Sequence, residues 1–193
     1  MDRPIGLRER KKAAIRRALH EAALRLVVEQ GLEHVTVEAI AQTADLSRRT
    51  FSNHFSSKEE ALFYPESLRA GILLDLMHAR PEDEAPRTAF ARAARELTAD
   101  TGYLDATWLT QRRLLRRHPA LAQHHAAAFA ATERELAAEI ARRLPGDDSD
   151  GLRARVLAMT FLATLRAATA HWLESPGRPL PEVVVEALQL AQE

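Results

Sequence analysis

Apolar residues recur at helical spacing along nearly the whole chain, in blocks separated by glycine, proline and short polar runs. From Leu7 to Gln30, residues Ala14, Leu19, Ala22, Ala23, Leu26 and Val27 share a face, and Gly31 supplies a C-terminal stop. Thr36 is placed to cap a short second helix running to Thr43, with Glu38 in its first turn. Ala44-Asp45-Leu46 forms a tight connector in which Asp45 tolerates a left-handed turn. Ser47 caps a third helix expected to reach His54. Ser57 opens a fourth, with Glu60 completing an S-x-x-E capping box and Pro65 ending it. Further helices are expected at residues 66–79, 87–100, 104–117, 119–144, 150–174 and 181–192, with breaks at Arg80–Pro86, Gly102, His118-Pro119, Pro145–Ser149 and Ser175–Pro179. No alternating strand pattern competes. The expectation is an all-α fold of roughly nine to ten helices.

The third helix carries unusual chemistry for its length. Phe51 is its one large apolar residue, with Phe55 four positions on, and the remainder is rich in donors. With the second helix it matches a helix-turn-helix, in which small Ala41 and Ala44 allow close approach and Leu46, Phe51 and Phe55 face inward. Arg48, Arg49, Ser52 and Asn53 then point outward, with Ser47 and Thr50 near the leading edge. Arginine forks suit guanine edges and phosphates, and asparagine suits adenine. Thr36 and Lys58 stand at helix starts, where backbone donors and the dipole favour a phosphate.

Charge supports this only locally. Lys+Arg 27 balances Asp+Glu 27 in the 193-residue chain. Between Arg3 and Arg17, however, Arg3, Arg8, Arg10, Lys11, Lys12, Arg16 and Arg17 face Glu9 alone, a basic arm suited to a nucleic-acid backbone or minor groove.

The runs A-L-R-L-V-V-E-Q-G-L-E-H-V-T-V-E-A-I-A, A-D-L-S-R-R-T-F-S-N-H-F and S-K-E-E-A-L resemble the DNA-binding domain of the TetR family of transcriptional regulators, over about Leu7 to Phe63. The resemblance implies a helix-turn-helix DNA-binding domain in residues 1–64 and an effector-binding and dimerisation domain in residues 65–193. It implies a homodimeric repressor of a near-palindromic double-stranded DNA operator, released by a small molecule. Carried over, Ser47 to His54 is the recognition helix, with Arg48, Arg49, Thr50 and Asn53 at the DNA and Thr36 and Lys58 on phosphates. His54 stands where tyrosine is usual and keeps a donor for phosphate; Ser52 replaces a bulky aromatic, which removes any analogy for the operator sequence.

Beyond Pro65 the residue types carry the reading. Leu152, Val156, Leu157, Phe161, Leu162 and Leu165, with Val183, Val184, Leu188 and Leu190, give the last two helices the apolar content a homodimer interface needs, and a charge at Leu162 or Leu188 is expected to give monomers, aggregates or unfolded protein. Phe90, Leu97, Tyr103, Trp108, Phe129, Met159 and Trp172 are candidate walls of an apolar effector pocket, with Arg112 or Arg113 as an anchor for an anionic ligand. Plain core packing competes for each of these. His118, His124 and His125 lack a carboxylate at ligand spacing, so no metal and no cofactor are expected. The absence of cysteine excludes thiol chemistry and disulfides. With no glycine-rich phosphate loop, G-x-S-x-G or H-E-x-x-H either, an enzyme or a helical small-molecule-binding protein without a DNA function is the lesser reading. MDRPIGLRERKK holds no signal core, and Arg166 interrupts the most apolar run, so a cytoplasmic protein with no membrane segment is expected.

Overall fold

A computed structural model describes residues 6–99, 114, 119–144, 151–175 and 177–191. Among them the architecture is all-helical: α1 (Leu7–Gln30), a 3-10 turn (Leu32–His34), α2 (Val37–Thr43), α3 (Arg48–Ser52), α4 (Lys58–Leu62), α5 (Tyr64–His78), α6 (Pro86–Ala99), α7 (Pro119–Ala141), α8 (Leu152–Glu174) and α9 (Leu180–Leu190). The helix expected over residues 104–117 lies outside the described residues, Leu114 apart.

The described residues fall into two compact units. One holds those up to Ser67 together with those between 106 and 126; the other holds those from Leu68 to 105 and from Ala127 onward. This differs from a linear division at residue 64, because Leu121 and Leu114 pack with the first unit's core.

In the first unit, Leu19, Ala23 and Val27 of α1, Ile40 and Ala41 of α2, Phe51 of α3, Phe55, and Ala61 and Leu62 of α4 form one buried cluster. Gly31 ends α1 at φ 83°, ψ 151°, a conformation that glycine alone adopts freely. The α2–α3 connector has one defined solution. Asp45 is left-handed at φ 54°, its N–H donates to Gln42 O at 3.0 Å, and the Leu46 N–H donates to Ala41 O at 2.9 Å. This paired closure satisfies the last carbonyls of α2 and turns the chain directly into α3.

Two departures from the expected boundaries bear on the recognition helix and the chain that follows it. The regular part of α3 is only Arg48–Ser52, with Asn53 as its C-cap and His54 just beyond. Pro65 does not end a helix; it sits second in α5, where its missing N–H costs nothing. Helix α4 is five residues long and packs into the first unit, whereas α5 begins in that unit and continues into the second.

The second unit is built on Leu73 and Met77 of α5, Phe90, Ala93 and Leu97 of α6, Leu136 and Ile140 of α7, Phe161, Leu162 and Leu165 of α8, and Val184 and Leu188 of α9. Phe90 and Phe161 stack with centroids 4.7 Å apart. A buried ion pair not foreseen from sequence joins the end of α7 to the end of α5. Arg143 Nη2 meets Glu139 Oε1 at 2.8 Å and donates to Met77 O at 2.7 Å and Arg80 O at 3.2 Å, and Nη1 reaches Pro81 O. The guanidinium thereby satisfies carbonyls at the C-terminal end of α5, where a cation also suits the helix dipole.

Helix α8 is long and apolar enough, by length and composition alone, to cross a membrane, which the sequence reading had not anticipated. Its most apolar window has a mean hydropathy of 1.2, yet only 33% of that window is buried within the chain. Phe161, Leu162 and Leu165 face the core, whereas Leu152, Val156, Met159, Ala163 and Ala167 form an exposed row. Leu162 and Leu188 are thus core residues of their own unit, and a charge at either is a test of folding rather than of dimerisation. Phe51, 1% exposed, anchors a helix too short to stand alone. Its replacement by alanine is expected to cost about 3–5 kcal/mol in chemical denaturation of the first unit.

Candidate nucleic-acid interface

Helix α3 is held on one side and open on the other. Phe51 is buried, and the rings of Phe51 and Phe55 lie 5.8 Å apart. Arg48, Arg49, Ser52 and Asn53 are exposed and Thr50 is half-buried. The turn structure that positions them uses hydroxyl acceptors. Ser47 Oγ accepts from the Thr50 N–H at 3.0 Å, and the two hydroxyls are 2.9 Å apart, so one O–H of the pair remains available to donate. Thr36 Oγ1 accepts from the Ala39 N–H at 3.1 Å, which leaves its own O–H free for an anion at the start of α2.

The charged side chains differ in how they are held. Arg48 pairs with Glu38 of α2 at 2.8 Å, both well exposed, a contact of small net value that a phosphate or base can replace. Arg49 has no ion-pair partner among the described residues. Lys58 is anchored: Nζ donates to Leu32 O at 2.8 Å and to Val35 O at 3.0 Å. It closes the turn before α2, and one of its three N–H groups remains for a phosphate. Glu60 reaches back to the backbone N–H of Ser56 at 2.6 Å, one residue earlier than the capping box required, while Ser57 Oγ accepts from the Glu60 N–H at 3.1 Å.

His54 lies beside the basic part of α1. The expected arm is already helical from Leu7, so Arg8, Arg10, Lys11, Lys12, Arg16 and Arg17 are carried on a rigid rod. Burial, and then the charges of Arg16 and Lys12, hold the His54 pKa below its ordinary value. Its Nδ1 is buried without a hydrogen-bond partner. Both facts favour the neutral imidazole with the proton on Nε2, which leaves a donor for an anion. Arg16 Nη2 donates to the His54 carbonyl at 3.1 Å, a contact the sequence reading missed because Arg16 looked like one more member of the basic run.

Of the expected effector residues that are described, Phe90, Phe129 and Trp172 belong to or pack against the second unit's core, whereas Met159 does not. Phe90 is fully buried against Phe161, Met159 is 51% exposed on the outer row of α8, and Trp172 donates from Nε1 to Arg178 O at 2.6 Å. Phe129 is half-buried beneath the Arg166 guanidinium, 5.1 Å from the ring centroid. Trp108 and Arg112 lie outside the described residues, as do Tyr103, Arg113, His118 and the side chains of His124 and His125. A cleft of about 420 Å³ lies elsewhere in the second unit, lined by Arg95, Arg178, Pro181, Glu182, Val185, Glu186 and Gln189. Among the described residues no cluster of three metal-ligating side chains occurs.

A capped five-residue helix, joined to a preceding helix by a left-handed turn and presenting arginine, serine and asparagine outward, defines a helix-turn-helix DNA-binding protein. The family model described as "Bacterial regulatory proteins, tetR family" matches residues 19–63, and that of the "MftR C-terminal domain" matches residues 84–193. The HTH-type transcriptional regulator TcmR of Streptomyces glaucescens is 34% identical over 173 residues, covering 86% of this chain and 76% of TcmR. The chain belongs to the tetR family of bacterial transcriptional regulators, and it is not an enzyme. Among solved structures it is similar to Thermus thermophilus FadR, a TetR-family repressor in complex with lauroyl-CoA, at 26% identity and a TM-score of 0.54, covering 92% of this chain and 93% of FadR. It shares the fold of SmeT, from Stenotrophomonas maltophilia, in its triclosan complex, at 17% identity and a TM-score of 0.59, covering 92% of this chain and 90% of SmeT.

The state of His54 has a measurable consequence. Its folded pKa lies below the unfolded value of about 6.5, so the unfolded chain binds more protons between those two values. The stability contributed is complete above that window and is lost as pH falls through the folded pKa. In an NMR titration the His54 ring should titrate below pH 6.5, and in His54→Gln the acid-side loss of stability should be smaller than in the wild type.

Proposed function

We propose that the protein is a cytoplasmic, homodimeric repressor that reads a near-palindromic operator with two copies of α3 and releases it when a small, largely apolar molecule binds within residues 65–193. The observation that carries the DNA half is the division of α3 into one buried aromatic anchor and an exposed donor face. Arg48, Arg49, Thr50 and Asn53 read bases and neighbouring phosphates in the major groove. Thr36, Ser47, His54 and Lys58 hold the backbone, each through the donor left after its internal contacts.

The dimer half rests on the outer row of α8. Leu152, Val156, Met159, Ala163 and Ala167 recur at spacings of three and four, with alanines that permit close helix approach, beside α9 with exposed Leu190. Covering that row with a second copy removes an apolar liability. Met159 therefore serves the interface rather than a pocket wall. The effector half draws on Phe129 and Trp172, which are only partly buried, together with Trp108 and Arg112. Phe90 can join them only if its stack with Phe161 opens. FadR in complex with lauroyl-CoA, which carries an apolar acyl chain, and SmeT in complex with triclosan are proteins of this fold that bind small molecules, which supports this reading. Effector binding displaces α5, which begins in the first unit and ends in the second, and a tenfold loss of operator affinity requires about 1.4 kcal/mol of coupling.

Selection of bound fragments from genomic DNA should yield a two-fold-related site. Arg49→Ala should cost about 1–3 kcal/mol and relax preference at one position per half-site. Lys58→Ala should weaken all sequences alike and also lower the melting temperature, because the carbonyls of Leu32 and Val35 lose their donor. Unchanged affinity on replacing Arg48 and Arg49 together would refute the reading. Met159→Glu should give folded monomers with weak operator binding in light scattering and titration, whereas Leu162→Glu should unfold the second unit. A stable wild-type monomer at micromolar concentration would refute the dimer.

A further inference from the structure

We propose that Arg16 is a positioning residue for operator reading, which fixes the C-terminal end of the recognition helix against the first residue of α5 without itself touching DNA. The proposal rests on the reading that α3 enters the DNA.

The neighbours of Arg16 on α1, Lys12 and Arg17, are exposed, as surface cations normally are. Arg16 is drawn inward. Its Nη2 donates to the His54 carbonyl at 3.1 Å, just past the C-cap of α3. Its guanidinium carbon lies 5.4 Å from the Phe55 ring centroid and 5.6 Å from that of Tyr64. Those two rings meet edge to face at 5.6 Å, and Phe55 in turn meets Phe51, the anchor of α3, at 5.8 Å. One planar cation therefore touches three elements: α1 that bears it, the segment that ends α3, and Tyr64 that starts α5.

The chemistry explains why an arginine stands here. Phe51 and Phe55 bury α3 but are non-directional, and apolar packing alone leaves a five-residue helix free to roll. A hydrogen bond to a specified carbonyl and stacking on two rings add direction. A lysine ammonium can reach the carbonyl but cannot match the flat contact with the rings. Arg16 Nε is buried with no hydrogen-bond partner, a cost borne only because the rest of the group is so placed. The same contacts make Tyr64 the point at which a displaced α5 disturbs the end of α3.

The test uses the full-length protein and a selected operator duplex, titrated at several salt concentrations, with each variant's active fraction set by stoichiometric titration. Arg16→Met keeps the stem and removes the fork, and Arg16→Lys keeps the charge. Both should lose about tenfold or more in affinity, the size of one lost base contact, while the dependence of log affinity on log salt keeps the wild-type slope. Tyr64→Leu, which retains bulk and removes one ring, should lose affinity in the same direction with the same slope and guards against misfolding of the Arg16 variants. Wild-type affinity in Arg16→Met or in Tyr64→Leu would overturn the proposal. So would restored affinity in Arg16→Lys with a slope reduced by about 0.9 in Arg16→Met, which would make Arg16 a phosphate contact. A wild-type protein that selects no DNA would instead overturn the reading of α3 on which the proposal stands.

Discussion

Burial of Phe51 and Phe55 against α1 is the constraint on which the reading surface depends. A helix of five residues does not persist in water by itself, because few of its hydrogen bonds are internal and nucleation is costly. Here two aromatic side chains and the Ser47 cap supply what propensity cannot. The arrangement also divides labour by face. Since apolar anchoring is confined to one side, every outward residue of α3 is released from a folding role and can be a hydrogen-bond donor. The closed turn at Asp45 then fixes where those donors point relative to α2.

Electrostatics enters through location rather than total charge. A chain with as many carboxylates as cations presents a basic rod at α1, arginines on α3 and Lys58 at the start of α4. Several of these cations do internal work in the free protein. Lys58 completes a turn, Arg48 pairs with Glu38, and Arg16 joins a carbonyl to two rings. A positive residue near a DNA-reading helix is therefore not by that fact a phosphate contact. The geometry sorts them: Arg49 is free to reach outward, Arg48 must exchange a partner, and Lys58 has one donor to spare.

Much of the fold was legible in the sequence because its signals are local. The limits of α1, the caps at Thr36, Ser47 and Ser57, and the left-handed turn at Asp45 follow from residue chemistry within a few positions. The misjudged features depend on contacts across the chain. Pro65 can stop a helix or start one, and only the packing around Phe63 and Tyr64 decides which. Leu162 and Met159 sit three residues apart on an apolar helix, and nothing local tells the core face from the exposed one. Glu139 and Arg143 have the spacing of an ordinary surface pair, yet they close over the end of α5. Arg16 was indistinguishable from its basic neighbours until its partners 38 to 48 positions away were placed.

The central claim is that two copies of one donor face meet a polyanion together. It is tested most directly by the stoichiometry and salt dependence of binding to a selected duplex, followed by fluorescence anisotropy. The account predicts saturation at two protomers per duplex and a log affinity that falls linearly with log salt, with a slope of about −0.9 for each phosphate engaged. Binding by one protomer, or affinity insensitive to salt, would contradict it.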